Sequence, residues 1–294
     1  KLQYVKNRRN KDYVMDFKSD NLVSLTDVEF VVCLGCVLVT SILSWVLSGK
    51  LILYQSGKRL LPCECQKLSR RLEAMDRLVL IPFSLIQGTL AMFATLEFEQ
   101  KNQEGWIWRW QDSSGLAKYT ITLYVIKTGI FDVIAHLVTI LQQSENKKIG
   151  ILFHHILSGF FMGIAIFHSG TCHYFACLAI ISESTTFFLN NIMATKLFLG
   201  EHTKSQKLFV AINGVLLWLS YLACRLLLFP YWFYLWFSDA LTYDISFISL
   251  FQQITYPATV GLIFFLSLFW FYLITRGLLR AILKTSSSSE RKSA

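Results

Sequence analysis

The sequence predicts an all-α integral membrane protein with about seven transmembrane helices, and three observations carry this. Of the 294 residues, 54% are hydrophobic and only 16% charged, whereas a soluble domain carries about 25% charged residues. The apolar residues run in blocks of the roughly 20 residues that span a bilayer as a helix, not in the short stripes of soluble amphipathic helices. The blocks do not alternate in polarity at every second residue. That excludes the strands of a membrane barrel, the other fold that satisfies its backbone in hydrocarbon.

In chain order, residues 1–29 form a polar tail of mixed charge, 30–48 the first span and 49–77 a basic loop. In that loop Leu68, Leu72 and Met75 share a helical face among Lys67, Arg70, Arg71 and Arg77. The pattern fits either a short helix lying on the membrane surface or a solvated basic loop. Further spans are expected at 78–96, 119–141, 149–167, 172–198, 208–237 and 257–283, which together make up a membrane domain over 78–283, followed by a basic tail at 284–294. Pro82 and Pro257 are expected in the first turns of their helices, where proline is tolerated, and Pro230, inside a block, should kink its helix. Trp106, Trp108 and Trp110 before the third span, and Tyr231, Trp232, Tyr234 and Trp236 at the end of the sixth, are expected as aromatic anchors at one membrane interface.

A net charge of +9 raises the question of a nucleic-acid partner. The basic residues sit in short loops between apolar blocks, where anionic lipid headgroups attract them, and no nucleic-acid motif accompanies them. Membrane lipids are therefore the expected partners, and nucleic acid is not. The loops holding Lys50, Lys58, Arg59, Lys147, Lys148, Lys204 and Lys207 fall on the same side as the basic C-terminus. Their charge makes that side cytosolic and the N-terminal tail lumenal. The seven cysteines are scattered mostly through apolar blocks and form no disulfide framework. Cys63 and Cys65 lack the His or second Cys pair that would complete a zinc site. Neither a metal nor a bound cofactor is expected, and the sequence leaves the oligomeric state open.

Ionisable groups inside a span are costly and mark functional sites by default. They are Lys127, Asp132 and His136 on the third span, His154 and His155 on the fourth, Glu183 on the fifth and Arg225 on the sixth, with Asn190, Asn191 and Asn213 adding uncharged polarity. Asp132 and His136 are four apart and share a helix face. The third span descends as the fourth ascends, so at about 1.5 Å rise per residue His136 reaches the depth of the His154–His155 pair, roughly 8 Å inside the cytosolic boundary. Neighbours on a helix lie about 100° apart. One histidine of the pair would thus face a shared cavity while the other supports it. An imidazole there can take a proton from an attacking amine or hydroxyl, or itself attack a thioester, and a carboxylate can orient it. The alternative is structural: two cations, Lys127 and Arg225, against two carboxylates, Asp132 and Glu183, neutralise one another and lock helices together.

The ordered set His154-His155, His173-Tyr174, Glu183-Ser184-Thr185-Thr186-Phe187 and Cys224-Arg225 resembles the TLC family of endoplasmic-reticulum membrane proteins over about residues 70 to 283. The resemblance implies a six-helix core around a lipid-accessible cavity, with the His pair inside it. The family includes the ceramide synthases, which join a fatty acyl-CoA to a sphingoid base and carry a His-Asp pair in the following helix. Here that stretch reads Ile181-Ser182-Glu183, so ceramide synthesis itself is not carried over. Other members regulate lipid composition or take part in cargo export from the endoplasmic reticulum.

The function expected is therefore lipid metabolism in the endoplasmic-reticulum membrane: binding of an acyl lipid and transfer of an acyl group from acyl-CoA, as co-substrate, to a lipid acceptor. His154 or His155 would be base or acyl acceptor. Asp132, His136, Glu183, Asn190, Lys127 and Arg225 would bind or orient. The rival expectations are a receptor cycling between endoplasmic reticulum and Golgi, with lumenal lysosomal enzymes as cargo and coat-protein receptors as partners, and a non-catalytic lipid sensor. Arg291 and Lys292 stand fourth and third from the end of the sequence, the placement of basic residues in a retrieval signal read by a coat receptor.

Overall fold

The computed structural model describes residues 27–56, 64–101, 108–111, 114–143, 149–164, 170–198 and 203–293. Among them lie seven long helical segments and no strand. We label them α1 (Asp27–Ser56), α2 (Glu64–Lys101), α3 (115–143), α4 (Ile149–Ile164), α5 (173–198), α6 (204–242) and α7 (Leu250–Ser293). Five helical stretches are long and apolar enough to cross a membrane: Met75–Gln100, Gly115–Leu137, His173–Phe198, Lys204–Thr242 and Leu250–Arg280. The shorter apolar stretches Val31–Leu47 and Ile149–Gly159 complete the expected order. The outward faces are apolar, with Phe265, Phe269 and Tyr272 of α7 more than half exposed, a surface suited to lipid tails and not to water. The protein is an all-α membrane protein. The tail over 1–26, Trp106, Lys147, Lys148 and the side chains of Arg291 and Lys292 lie outside the described residues.

Several boundaries differ from those read off hydropathy, each for a local reason. Nothing in the sequence breaks a helix between Gln66 and Leu78, so the basic stretch and the second span are one continuous helix, α2, and Pro82 falls in its interior. Ser84 Oγ donates to the main-chain oxygens of Leu80 at 2.5 Å and Ile81 at 3.2 Å, so its hydroxyl is bonded within the helix's own backbone. Helix α6 starts at Lys204 because Thr203 and Gln206 form a capping box, and α7 starts at Leu250 because Ser249 and Gln252 exchange side-chain and main-chain bonds in the same manner. Pro257 is consequently also internal. Ahead of Pro230, α6 widens into a π segment over Leu222–Leu227, where Leu228 N–H reaches back five residues to Ala223 O.

Neighbour packing runs α2–α3–α4–α7–α6–α5 and returns to α2, a closed ring of six helices with α1 outside it against α2 and α3. The ring is tightened at two backbone crossings. A Cβ on Gly88 of α2 would lie 2.7 Å from Ser184 Cβ of α5, and a Cβ on Gly159 of α4 would lie 2.2 Å from Gly129 Cα of α3. Small residues let membrane helices approach until their backbones touch.

One end of the ring is filled by aromatic side chains. Trp108, Trp110, Trp232 and Trp236 are buried, so they are core residues and not the interfacial anchors expected of them. Tyr231 and Tyr234 of the same run are exposed. The tryptophans turn inward because they pack on one another and on a buried acid. Trp232 and Trp236 stack at 4.9 Å between ring centroids, and Trp110 lies 4.5 Å from Trp236 and 5.0 Å from Phe175. The Trp110 indole donates to Asp239 Oδ2 at 3.1 Å, beside a two-pronged bond from Arg109 Nε and Nη2 to the same carboxylate at 2.7 and 2.5 Å. Burial disfavours the charge on Arg109, but the Asp239 carboxylate outweighs it and the pKa is raised. Cys172 closes the entry to α5 in a left-handed conformation, with φ 63°, its N–H donating to Trp110 O at 2.7 Å. Burial pushes its thiol up to about 12, so it remains protonated.

The Gly159 crossing gives the first prediction. Gly159→Ala should cost about 1–3 kcal/mol by overpacking against backbone that has nowhere to move. At Gly150 and Gly214 an added Cβ would meet nothing within 4 Å, and alanine there should be neutral or slightly stabilising. Thermal unfolding of the three variants in one detergent checks the contrast, and equal melting temperatures would show that the crossing contributes nothing.

Candidate functional site

Helices α3 and α4 run antiparallel through the Gly129–Gly159 contact, so residues whose numbers sum to about 288 face each other. That register sets His155 between Asp132 and His136. The rings of His136 and His155 lie 4.9 Å apart, those of His154 and His155 5.5 Å, and His155 Nδ1 is 3.5 Å from Asp132 Oδ2. His136 Nδ1 donates to the main-chain oxygen of Asp132, one turn back, at 2.7 Å. A carbonyl can only accept, so this ring carries its proton on Nδ1 and offers Nε2.

The middle of α3 is a π segment over Val125–Asp132. Bonding from i to i+5 brings residues five apart over one another, and Lys127 Nζ donates to Asp132 Oδ1. On an α-helix the two would diverge. Both side chains are almost fully buried, at 2% and 3% exposure, and their pairing removes two isolated charges from a low-dielectric interior.

A second pair faces them from α5 and α6. The α5 helix tightens into a 3-10 turn over Ile181–Glu183, held by bonds from Ser184 Oγ to Ile181 O and from Thr185 Oγ1 to Ser182 O. Glu183 Oε1 then lies 3.6 Å from Arg225 Nη2 and 3.9 Å from His154 Nε2. Arg225 Nε donates to Thr185 Oγ1 at 3.0 Å, and its guanidinium lies 5.2 Å from the centre of the Tyr221 ring. On the far side of His154, Trp270 of α7 presents its ring edge-on at 5.5 Å.

The structure thus brings together His154, His155, Asp132, His136, Glu183, Lys127 and Arg225 from four helices. It does not bring Asn190, which lies further along α5 and accepts from Arg77 Nη1 at 3.0 Å. Tyr221 and Trp270 join the cluster without having been singled out in the sequence, and Thr185, quoted there only within a family motif, joins it through Arg225 Nε. Tyr221 stands four residues before Arg225 and so shares its face, a signal that was there to be used. Trp270 sits in an all-apolar stretch and gave none.

The cluster has the form of two parallel chains, Lys127–Asp132–His155 and Arg225–Glu183–His154, meeting at adjacent imidazoles. Each carboxylate faces both a cation and a ring nitrogen. Several buried polar atoms here have no hydrogen-bond partner among the described residues: His154 Nδ1, Arg225 Nη1 and Tyr221 Oη, while Asp132 Oδ2 and His155 Nδ1 have only each other, at 3.5 Å. Such atoms are costly unless something bonds to them. The arrangement can hold a polar group between the helices, donate to it from Arg225, and move a proton at an imidazole. Among the described residues no set of three or more His, Cys, Asp or Glu side chains has the arrangement to hold a metal ion.

Residues 74–276 match the family model of the TLC domain. No curated protein matches the chain, and neither does any solved structure. The matched segment takes in most of the six-helix ring and every residue of the polar cluster, and the chain belongs to the TLC-domain family, as a multi-pass membrane protein of lipid metabolism or homeostasis.

Proposed function

We propose that the protein resides in the endoplasmic-reticulum membrane, binds an acyl lipid within its helical ring and transfers an acyl group from acyl-CoA to a lipid acceptor. The observation that carries this reading is the pair of cation–carboxylate–imidazole chains converging on His154 and His155. A carboxylate that orients one imidazole nitrogen leaves the other free as a base. On His155 the nitrogen facing Asp132 is Nδ1, which leaves Nε2. On His154 the nitrogen facing Glu183 is Nε2, which leaves the buried, unpartnered Nδ1.

The free nitrogen takes the proton of the acceptor hydroxyl or amine as that atom attacks the thioester carbonyl. The carbon–sulfur bond breaks, and the proton passes to the departing thiolate of coenzyme A. In the covalent variant the imidazole attacks first and the acyl group rests on it before transfer. Arg225 Nη1, a cationic donor without a partner among the described residues, is the group to stabilise charge developing on the carbonyl oxygen. The order of the motifs is also similar to that of the neuronal ceroid-lipofuscinosis protein numbered eight, which supports a setting in the endoplasmic reticulum, in lipid metabolism or in cargo export.

The balance of two cations against two carboxylates favours a second reading, in which the cluster only locks helices and the protein senses lipid or carries cargo. Purified protein with labelled acyl-CoA and a panel of lysolipids, glycerophospholipids and sphingoid bases separates the two. His154→Ala with His155→Ala should reduce turnover by about 10²-fold or more. Folding should change little, since hydrogen bonds within a membrane average about 0.6 kcal/mol. Full activity of the double variant would remove the acyl-transfer mechanism and leave the receptor or sensor.

Glu183→Gln keeps the shape and deletes the charge. Arg225 retains Thr185 and the Tyr221 ring face, so the expected result is a folded protein with turnover lowered by about tenfold or more. A collapse in stability with unchanged turnover per folded molecule would identify the carboxylate as purely structural.

A further inference from the structure

Asn190 is fully buried on α5, seven residues beyond Glu183 and so about 10 Å from it along the helix axis. Arg77 can only donate, so the atom that accepts from its Nη1 at 3.0 Å is Asn190 Oδ1, and the amide orientation is fixed. That leaves Asn190 Nδ2 and Arg77 Nε, two donors on a bonded pair of side chains. Both are buried, and both lack a partner among the described residues. An asparagine with no exposed surface and an unmet donor is expensive beside leucine of similar size. The feature missing from this arrangement is an acceptor, and the positive charge of Arg77 asks that it be anionic.

The place of Arg77 on α2 favours one class of anion. Arg77 stands at the start of the Met75–Gln100 stretch, which is long and apolar enough to cross a membrane, and the end of such a stretch belongs at the headgroup region, where lipid phosphates are concentrated. We infer that Arg77 and Asn190 form a binding site for a phosphate group, with the guanidinium supplying charge and Nε–H and the amide supplying Nδ2–H. Charge-assisted bonds from a planar guanidinium suit a phosphate oxygen well. The phosphate belongs either to a phospholipid headgroup or to a soluble carrier such as coenzyme A. The site stands apart from the histidines and is read without turnover, so its failure and that of acyl transfer are separate results.

The test uses the full chain in detergent and four probes: inorganic phosphate, coenzyme A, dioctanoyl phosphatidic acid and, as the phosphate-free control, dioctanoylglycerol. Binding is followed by thermal shift and by titration. At least one phosphate-bearing probe should bind and stabilise the protein, the control should not compete with it, and Arg77→Gln should weaken that binding by about tenfold or more. Binding of phosphatidic acid alone assigns the site to a lipid headgroup, and binding of coenzyme A or inorganic phosphate to a soluble carrier. Asn190→Asp covers the case in which Arg77→Gln does not fold. It sets a carboxylate against Arg77, and should raise the melting temperature without ligand while weakening phosphate binding to a similar degree. The proposal is overturned if no phosphate-bearing probe binds, if the control binds equally well, or if either folded variant keeps wild-type affinity.

Discussion

A side chain at Gly159 would place its first carbon 2.2 Å from the Cα of Gly129, and the rest of the membrane interior is arranged around that contact. Because α3 and α4 touch backbone to backbone, the residues one and two turns away cannot avoid each other. Asp132, His136 and His155 meet there. In water such a crossing would be one contact among many. In lipid, where apolar burial between helices gives little driving force, close packing of small residues and bonds between polar ones hold helices in place. The same crossing therefore supplies adhesion and sets the spacing of the ionisable groups.

The ring of helices treats its two kinds of buried charge differently. At the aromatic end, Arg109 and Asp239 meet in a two-pronged bond at 2.5 and 2.7 Å, and Trp110 adds a third donor to the same carboxylate. Little is left over, and the acid serves as a rivet for four tryptophans. In the middle, Glu183 accepts from Thr186 Oγ1 at 3.2 Å and stands 3.6 and 3.9 Å from Arg225 and His154, and polar atoms on Asp132, His154, His155, Arg225 and Tyr221 have no hydrogen-bond partner among the described residues. The complete pairing at the aromatic end serves structure, and the less complete pairing around the histidines is what the proposed lipid chemistry would draw on.

Much of this was legible in the sequence, and the parts that were not have identifiable causes. Hydropathy located the five stretches long enough to cross a membrane, because the length of a span is set by the bilayer, together with the two shorter apolar stretches among the described residues. A constant rise per residue was enough to put His136 level with His154 and His155. Helix starts were misplaced where a capping box, Thr203 with Gln206 or Ser249 with Gln252, begins a helix ahead of its apolar run. The tryptophans at 108, 110, 232 and 236 were read from their composition as interfacial, but their burial is decided by partners far away in sequence, Phe175 and Asp239 among them. Asn190 stands with the histidines in the sequence only as a polar residue within a span, and its depth, rotation and partner are what separate it from them. Arg77 lies 113 positions away, and nothing local announces it.

The π segment at Val125–Asp132 bears on how relatives of this chain can be aligned. A π turn holds one residue more than an α turn of the same height. A chain that lost one residue there would keep both flanks of the span in register, and its lysine and aspartate would stand four apart on an ordinary α-helix, still on one face. The conserved quantity across such a change would be the face and not the spacing. Membrane spans are commonly compared without gaps, since an insertion rotates everything beyond it. For a relative with an unbroken α-helix at this place, a one-residue gap in mid-span would be the correct alignment, and a comparison that forbids it would slip Asp132 and His136 out of line with their counterparts.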